Sequence, residues 1–203
     1  AMQYRKPLSR EDYLAAPMLA EPLCRFDYCL ETDGAVAYVV TSAERARSLQ
    51  TTPANIHAAV QATGFPIWYQ TNYYRDSLTT GDEAVATAAR LWKTSGLAPR
   101  HIDVAQIYDH FAPLVLTSLE DYGFCNKGEA AAFVGDGRIR PGGELPLNTA
   151  GGLLSEGYIH GWNLILEGVR QIRGTSTAQV KDAEFSLVTS GWGAPTSALI
   201  LSR

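Results

Sequence analysis

The amino-acid sequence predicts a layered α/β fold. Short runs rich in Val, Ile and Ala alternate with segments whose apolar residues recur at helical spacing, the pattern of a sheet covered by helices. Hydrophobic residues make up 46% of the 203-residue chain, which is enough to bury an ordinary core. No sequence repeat interrupts the alternation. We therefore expect the strands to form a sheet with helices packed against it.

The first fifty residues contain fewer clear elements than the rest. Residues 1–30 mix prolines with charged residues and read as a connecting segment, in which Ser9 precedes acidic residues as the N-cap of a short helix does. After a turn signal, an apolar β-rich run predicts a strand at residues 35–41. Ser42 then predicts the start of a helix over residues 43–49.

Glycine and proline separate the later elements. Four further strands are predicted at residues 54–62, 102–107, 185–189 and 198–201. Three further helices are predicted at residues 82–96, 111–122 and 161–172. Gly96 and Gly123 mark the ends of the first two of these helices, because glycine is favoured where a helix stops. Residues 135–152 predict turns, and residues 64–76 an irregular stretch rich in aromatic side chains.

The charge balance and the cysteines argue against several functions. With 17 Lys and Arg against 21 Asp and Glu, the net charge is -4, so no basic surface is predicted for nucleic acid or an anionic membrane. Three scattered cysteines are too few for a disulfide framework and lack the spacing of a zinc site. No apolar run approaches the ~20 residues that cross a bilayer. These features predict a cytoplasmic protein.

Three segments carry the strongest motifs. The first reads Tyr-Asp-His-Phe at residues 108–111, after a predicted strand. The second reads Asn-Thr-Ala-Gly-Gly at 148–152 and continues as Gly-Tyr-Ile-His-Gly at 157–161. The third reads Thr-Ser-Gly-Trp-Gly at 189–193, at the end of a predicted strand. Their order and glycine framework resemble the active-site signatures in the C-terminal half of the thiolase superfamily, especially its lipid-transfer and sterol-carrier branch.

The resemblance implies a thiolase-like layered fold, with a mixed sheet and helices, for this part of the protein. Residues 1–50 would be the end of the N-terminal thiolase-like half and the connecting segment. Residues 51–203 would be the C-terminal thiolase-like domain. The family's corresponding motifs are Asn-Glu-x-Phe or His-Asp-x-Phe, then Asn-x-x-Gly-Gly with Gly-His-Pro-x-Gly, and finally Cys-x-Gly. Further residues from an N-terminal half are therefore expected to contribute to the site.

The departures from these motifs bear most directly on function. Tyr158 stands in the place of the Gly-His-Pro histidine, and no cysteine lies near Thr189. Acyl transfer through a thioester then lacks its usual base and acid. Steroid side-chain aldolases, a branch of the superfamily, resemble this chain in having tyrosines at both Tyr108 and Tyr158. That resemblance implies a lyase, which cleaves a steroid 17-hydroxy-C22-acyl-CoA by a retro-aldol reaction into a 17-ketosteroid and propionyl-CoA.

The same resemblance implies the site and the partners. Tyr108 and Tyr158 would share the proton transfers, with the choice of base left open. Side chains that would orient or tune them are Asp109, His110 and His160. Residues that would hold the acyl-CoA are Asn148, Gly151, Gly152 and Gly191. Coenzyme A enters only as part of the substrate, with no separate cofactor. A DUF35-type OB-fold protein is the expected partner of a full-length homodimer within a hetero-oligomer.

Other interpretations remain open at the level of sequence. A phenol with a pKa of about 10 needs a nearby cation or donor, such as His110 or His160, to work near neutrality. Asp109 could equally be the N-cap of the helix that follows it. Asp109, His110 and His160 give only a faint indication of a metal site, and none is predicted. The loss of thiolase residues also permits a non-catalytic acyl-CoA-binding or scaffolding module, or a residual acyl-CoA thiolase.

Overall fold

The computed structural model describes residues 1, 3–49, 51–67 and 74–203, and a four-stranded sheet forms its centre. In chain order the strands are β1 (Met18–Ala20), β2 (Leu23–Cys24), β3 (Asn55–Ala62), β4 (Val104–Gln106), β5 (Phe185–Thr189) and β6 (Thr196–Ser202). The helices are α1 (Arg10–Leu14), α2 (Ala43–Ala46), α3 (Asp82–Ser95), α4 (Ala112–Asp121), α5 (Ala130–Gly135), α6 (Gly152–Ser155) and α7 (Trp162–Arg173).

The central sheet is mixed, as predicted. Its strand order is β3-β6-β5-β4, with β4 and β5 parallel and the other neighbours antiparallel. β1 and β2 form a separate antiparallel pair that was not predicted. A single bridge between Ala105 and Leu147 fastens the turn-rich residues 135–152 beside β4. The α/β class and the four strands of the central sheet therefore follow the sequence patterns.

Hydrophobic cores form on both faces of the sheet. Successive residues of a strand point to opposite faces, so Leu187 and Val188 of β5 face different sides. Leu187 packs in a core that includes Leu91 of α3, whereas Val188 packs in a core that includes Leu164 of α7. The sheet is thus sandwiched between α3 and α7, which is the layered arrangement expected.

Local capping explains several helix boundaries. The N–H of Asp12 donates to Oγ of Ser9 at 3.0 Å, which confirms the predicted start of α1. The N–H of Arg45 donates to Oγ of Ser42 at 3.3 Å, but α2 ends at Ala46, earlier than predicted. Gly96 ends α3 in the left-handed conformation with φ 70°, as predicted.

The strand predicted at residues 35–41 is wrong. This segment has no regular secondary structure, and no neighbouring strand pairs with it in the described part of the chain. Val39 and Val40 are 95% and 78% exposed. Tyr38 instead packs on Trp162, with ring centroids 5.4 Å apart and its hydroxyl bonded to the Trp162 carbonyl. A β-rich composition does not make a strand without a partner for its backbone hydrogen bonds.

Two further expectations concern membranes and aromatic residues. Among the described helices, α3 is the longest with 14 residues, and none is long and apolar enough to cross a bilayer. Within the predicted aromatic stretch at residues 64–76, residues 68–73 lie outside the described residues.

Candidate active site

Three chain segments meet at one edge of the sheet. β4 and β5 are parallel neighbours, so their carboxyl ends lie at the same edge, where ligands bind in many α/β proteins. Tyr108 follows β4 and Gly191 follows β5, each by two residues. α7 lies between β4 and β5 in the chain and packs on both strands. Because β4 and β5 are parallel, α7 must run in the opposite direction between them, so its N-terminus lies at the same edge. Tyr158 and His160 immediately precede that N-terminus.

Tyr108 and Tyr158 form a hydrogen-bonded pair. Their hydroxyl oxygens lie 2.9 Å apart, and their rings meet edge to face with centroids 6.2 Å apart. Tyr108 is buried, whereas Tyr158 is partly exposed. Burial, and then the hydrogen bond with Tyr158, raise the pKa of Tyr108 well above its ordinary value. Tyr108 is therefore held as a neutral phenol that can donate its proton to the Tyr158 oxygen.

Two glycines make room for the ring of Tyr108. A Cβ atom at Gly161 would lie 2.8 Å from Cε2 of the ring, and one at Gly191 would lie 2.8 Å from Cδ1 on the opposite edge. Real Cβ contacts are longer than this, so the ring occupies its slot only because both positions lack a side chain. The N–H of Tyr108 also donates to Oγ1 of Thr189 at 3.1 Å. The ring is thus held from both edges and from the main chain.

His160 lies beside both hydroxyl groups. Its Nδ1 is 3.4 Å from the Tyr108 oxygen, and its Nε2 is 3.5 Å from the Tyr158 oxygen. Both distances are at the outer limit of hydrogen bonding, so the imidazole adjoins the pair without a short bond to either member. His160 has φ 48°, in the left-handed region that few non-glycine residues adopt. Backbone strain of this kind is concentrated at functional sites.

His110 packs against the other side of the pair. Its ring centroid is 5.0 Å from that of Tyr108, and its Nδ1 is buried without a hydrogen-bond partner in the described part of the chain. Burial lowers the pKa of His110, so its imidazole is neutral near pH 7. Near pH 7 His110 therefore supplies no cation, and the alternative that it acts as a hydrogen-bond donor stays a prediction. The pKa of Tyr108 also shifts in the direction opposite to the one expected.

Asp109 is buried and caps a different helix from the one expected. α4, the helix that follows Asp109, has no side-chain cap at its N-cap residue Phe111. Oδ1 of Asp109 instead accepts the N–H of Leu153, in the first turn of α6, at 2.8 Å. Burial raises the pKa of Asp109 to about 6, and hydrogen bonds from the backbone limit the rise. Asp109 thereby ties the Tyr108 segment to the loop at residues 148–152.

That loop is held by its own polar groups. The side chain of Asn148 accepts the N–H of Ile107 at 2.8 Å and donates to its carbonyl at 2.9 Å. The N–H of Gly151 donates to the Asn148 carbonyl at 2.7 Å. A Cβ at Gly152 would collide with Oδ2 of Asp109. Asn148, Gly151 and Gly152 therefore each have a structural role in this loop. Their contact with an acyl-CoA stays a prediction.

Sequence patterns did not identify every supporting residue. Oγ1 of Thr32 accepts the N–H of Tyr158 at 3.0 Å, although 126 residues separate them. Thr32 lies in a segment without regular structure, and no local pattern marks it. Gly161 belongs to the second motif, but the reason for it, the ring of Tyr108, appears only in three dimensions.

A groove of about 330 Å³ opens beside the pair. Its lining includes Tyr108 and His160, together with Trp162 and Ile165 of α7, so Tyr108 is reachable from the surface of this chain. No cluster of three His, Cys, Asp or Glu side chains within the described residues could hold a metal ion. The site is thus built from phenols and imidazoles around a buried carboxyl group.

Comparison with known proteins identifies the family. Residues 66–203 match the family described as thiolase C-terminal domain-like, and this match covers more than half of the chain. The chain belongs to this family, and the expected thiolase-like fold is confirmed. The predicted boundary at residue 50 stays a prediction.

The most similar relatives include two bacterial proteins. The chain is 51% identical, over 98% of its length, to the 17-hydroxy-3-oxo-4-pregnene-20-carboxyl-CoA lyase of Mycobacterium tuberculosis. It is 48% identical, again over 98% of its length, to the steroid side-chain-cleaving aldolase of Thermomonospora curvata. In each case the chain spans 51% of the relative, so about half the length of these proteins has no counterpart here.

A solved structure has the same fold. The chain superimposes on a chain of the Ltp2-ChsH2(DUF35) aldolase with a TM-score of 0.95 and 48% sequence identity. The superposition covers 98% of this chain and 52% of that one. The predicted resemblance to steroid side-chain aldolases is therefore confirmed at the level of sequence and fold.

Proposed function

We propose that the complete protein containing this chain is a carbon–carbon lyase that cleaves a steroid 17-hydroxy-C22-acyl-CoA by a retro-aldol reaction. The products would be a 17-ketosteroid and propionyl-CoA. The observation that carries the proposal is the 2.9 Å hydroxyl pair of Tyr108 and Tyr158, in which Tyr158 occupies the place of the thiolase Gly-His-Pro histidine. The names of the two similar bacterial proteins, a steroid acyl-CoA lyase and a steroid side-chain-cleaving aldolase, support it.

The reaction needs proton transfer but no nucleophile. A base removes the proton of the substrate hydroxyl, the oxygen forms the ketone, and the adjacent C–C bond breaks. The electron pair of that bond becomes an enolate of the CoA thioester. An acid then protonates the α-carbon, so one proton leaves an oxygen and one reaches a carbon. Two phenols and an imidazole suit this exchange, and no cysteine is required.

The unequal environments of the two phenols support a division of roles. Tyr108 is buried with a raised pKa, so it stays protonated and can donate to the Tyr158 oxygen. Such a donor stabilises the phenolate form of Tyr158, which takes the substrate proton and is regenerated when a proton passes to the α-carbon. Tyr158 can then return a proton to the α-carbon. We assign Tyr158 as the base, Tyr108 as its hydrogen-bond donor, and His160 as the group that tunes both.

The remaining parts of the proposal concern the ligand, partner and location. The acyl-CoA thioester would lie near Asn148, Gly151, Gly152 and Gly191, with coenzyme A bound only as part of the substrate. A DUF35-type protein would be the partner, as the name of the similar Ltp2-ChsH2(DUF35) structure suggests. A homodimer of the full-length protein within a hetero-oligomer, located in the cytoplasm, completes the proposal.

One assay tests the proposed reaction. The complete protein, with its DUF35-type partner, is incubated with a 17-hydroxy steroid C22-CoA thioester, and the products are separated by mass spectrometry. Formation of both the 17-ketosteroid and propionyl-CoA supports the lyase. Recovery of bound but unchanged thioester would contradict it in favour of an acyl-CoA-binding module. Transfer of an acyl group to free CoA would instead indicate a residual thiolase.

A further inference from the structure

We infer that a buried ion pair outside the three motifs, between Arg75 and Glu83, positions Tyr108 by clamping the loop at residues 190–195. This inference rests on the proposed function, in which Tyr108 acts as a donor. Glu83 lies in the first turn of α3, far in sequence from the β5-β6 loop that it contacts. Neither Arg75 nor Glu83 touches the tyrosine pair, so both are positioning residues.

The ion pair is buried and bidentate. Nη1 of Arg75 lies 3.0 Å from Oε2 of Glu83, and Nη2 lies 3.1 Å from Oε1. The side chains are only 3% and 1% exposed. Two parallel hydrogen bonds fix the orientation of each group. Desolvation of the two charges largely offsets their attraction. Net stabilisation of the fold therefore does not by itself explain a buried ion pair at this position.

The pair reaches the tip of the loop. Oε1 of Glu83 also accepts the N–H of Gly193 at 3.0 Å. The guanidinium carbon of Arg75 lies 5.9 Å from the ring centroid of Trp192, and a Cβ at Gly81 would lie 3.0 Å from that ring. The loop tip is therefore seated against the start of α3 by one hydrogen bond and one close ring contact.

The base of the loop is held independently. The N–H of Ser190 donates to the Ser197 carbonyl at 2.9 Å, and the N–H of Ser197 donates to Oγ of Ser190 at 2.8 Å. Oγ1 of Thr196 donates to the Gly191 carbonyl at 2.6 Å. Gly191 lies between this base and the clamped tip, against one edge of the Tyr108 ring. Gly191 is held at its carbonyl but is joined directly to Trp192 of the clamped tip, so a displaced tip would shift Gly191 and loosen the slot that holds Tyr108.

Two double variants distinguish the effect of losing the hydrogen bond to Gly193 from the effect of losing the two buried charges. Changing only one partner would leave an unpaired buried charge and could unfold the protein. Arg75→Met combined with Glu83→Gln removes both charges but keeps an acceptor for the N–H of Gly193. Arg75→Met combined with Glu83→Leu removes both charges and also the acceptor. The two variants thus differ only in the group that faces Gly193.

The position of Tyr108 is measured directly and through turnover. Fluorotyrosine is placed at position 108 of the complete protein, and its fluorine NMR signal is compared with that of the wild type. We expect the Gln variant to keep the wild-type signal and most of kcat. The Leu variant should shift or broaden the signal and lose kcat by roughly 100-fold, as for a misplaced catalytic group. Its KM should change less than kcat.

Each outcome decides the inference. If the Leu variant keeps the wild-type fluorine signal, the clamp does not position Tyr108 and the inference is overturned. A shifted signal with an unchanged kcat would also overturn it, because the clamp would then not serve the reaction. If the wild type does not cleave the steroid thioester, the proposed function fails, while the fluorine signal still decides whether Glu83 positions Tyr108.

Discussion

The hydroxyl oxygens of Tyr108 and Tyr158 lie 2.9 Å apart, although fifty residues separate the two tyrosines. The two phenols occupy unequal environments. Tyr108 is enclosed between Gly161 and Gly191, whereas Tyr158 is partly exposed beside His160. Titratable groups whose environments differ in this way can divide donor and acceptor roles.

Removal of either hydroxyl of the pair should abolish most turnover. We expect Tyr108→Phe and Tyr158→Phe each to lower kcat by roughly 100-fold to 10,000-fold, the usual loss of an acid/base group. Ketosteroid formation is the measurement, with circular dichroism to show that the fold is kept. Tyr122→Phe is the matched control, because the Tyr122 hydroxyl is buried and has no hydrogen-bond partner in the described part of the chain. Near-normal kcat in both pair variants would contradict the assignment.

The imidazole of His160 should contribute to turnover but not to the stability of the fold. His160→Asn removes a ring whose nitrogens lie 3.4 and 3.5 Å from the two hydroxyls. Asparagine tolerates the left-handed backbone, so we expect little change in thermal unfolding. Turnover should fall by about 100-fold, at the lower end for acid/base groups. His57→Asn, at an exposed position on β3, is the control; equal turnover in the two variants would refute this role.

The slot for Tyr108 can be tested with two glycines that share a backbone conformation. Gly161 and Gly174 flank α7 with φ 81° and 71°. Both Gly161→Ala and Gly174→Ala should cost about 1 kcal/mol of stability for the left-handed backbone. Of these two positions, Gly161 would bring a Cβ against the Tyr108 ring, whereas nothing lies within 4 Å of one at Gly174. We therefore expect a loss of kcat in Gly161→Ala alone, and equal kcat values would contradict the slot.

Asp109 should make the stability of the fold depend on pH. Its carboxyl pKa is raised from 3.8 to about 6 by burial. Between these values the folded state binds more protons than the unfolded state. Protonation of Asp109 therefore stabilises the folded state. This stabilisation is fully present below pH 3.8 and is lost as the pH rises through about 6. The pKa difference corresponds to about 3 kcal/mol.

Asp109→Asn should remove this dependence while keeping an acceptor for the N–H of Leu153. Relative to the wild type, the variant's free energy of unfolding should rise by about 3 kcal/mol from about pH 4 to about pH 7. Denaturant unfolding at a series of pH values measures this difference. Asp136→Asn is the control, because the Asp136 side chain is 64% exposed. If the difference in free energy of unfolding between Asp109→Asn and the wild type does not depend on pH, the pKa of the Asp109 carboxyl is not raised.

Local signals in the sequence determined most of the fold. Ser9 and Gly96 marked a helix start and a helix end because capping depends on the residues adjacent to them. The strand predicted at residues 35–41 was wrong because pairing depends on a distant partner, which local composition does not specify. β1 and β2 were missed for the same reason, because each of these short segments forms a strand only by pairing with the other.

By itself, the sequence determined the α/β class, the glycine framework and the presence of tyrosines at two signature positions. Only the tertiary structure decided that the two hydroxyls meet, that Asp109 caps α6, and that Thr32 holds the backbone of Tyr158. It also reversed the expected direction of the Tyr108 pKa shift. The physical reason is desolvation. The pKa of a phenol depends on which distant segments exclude water from it, and packing alone settles that.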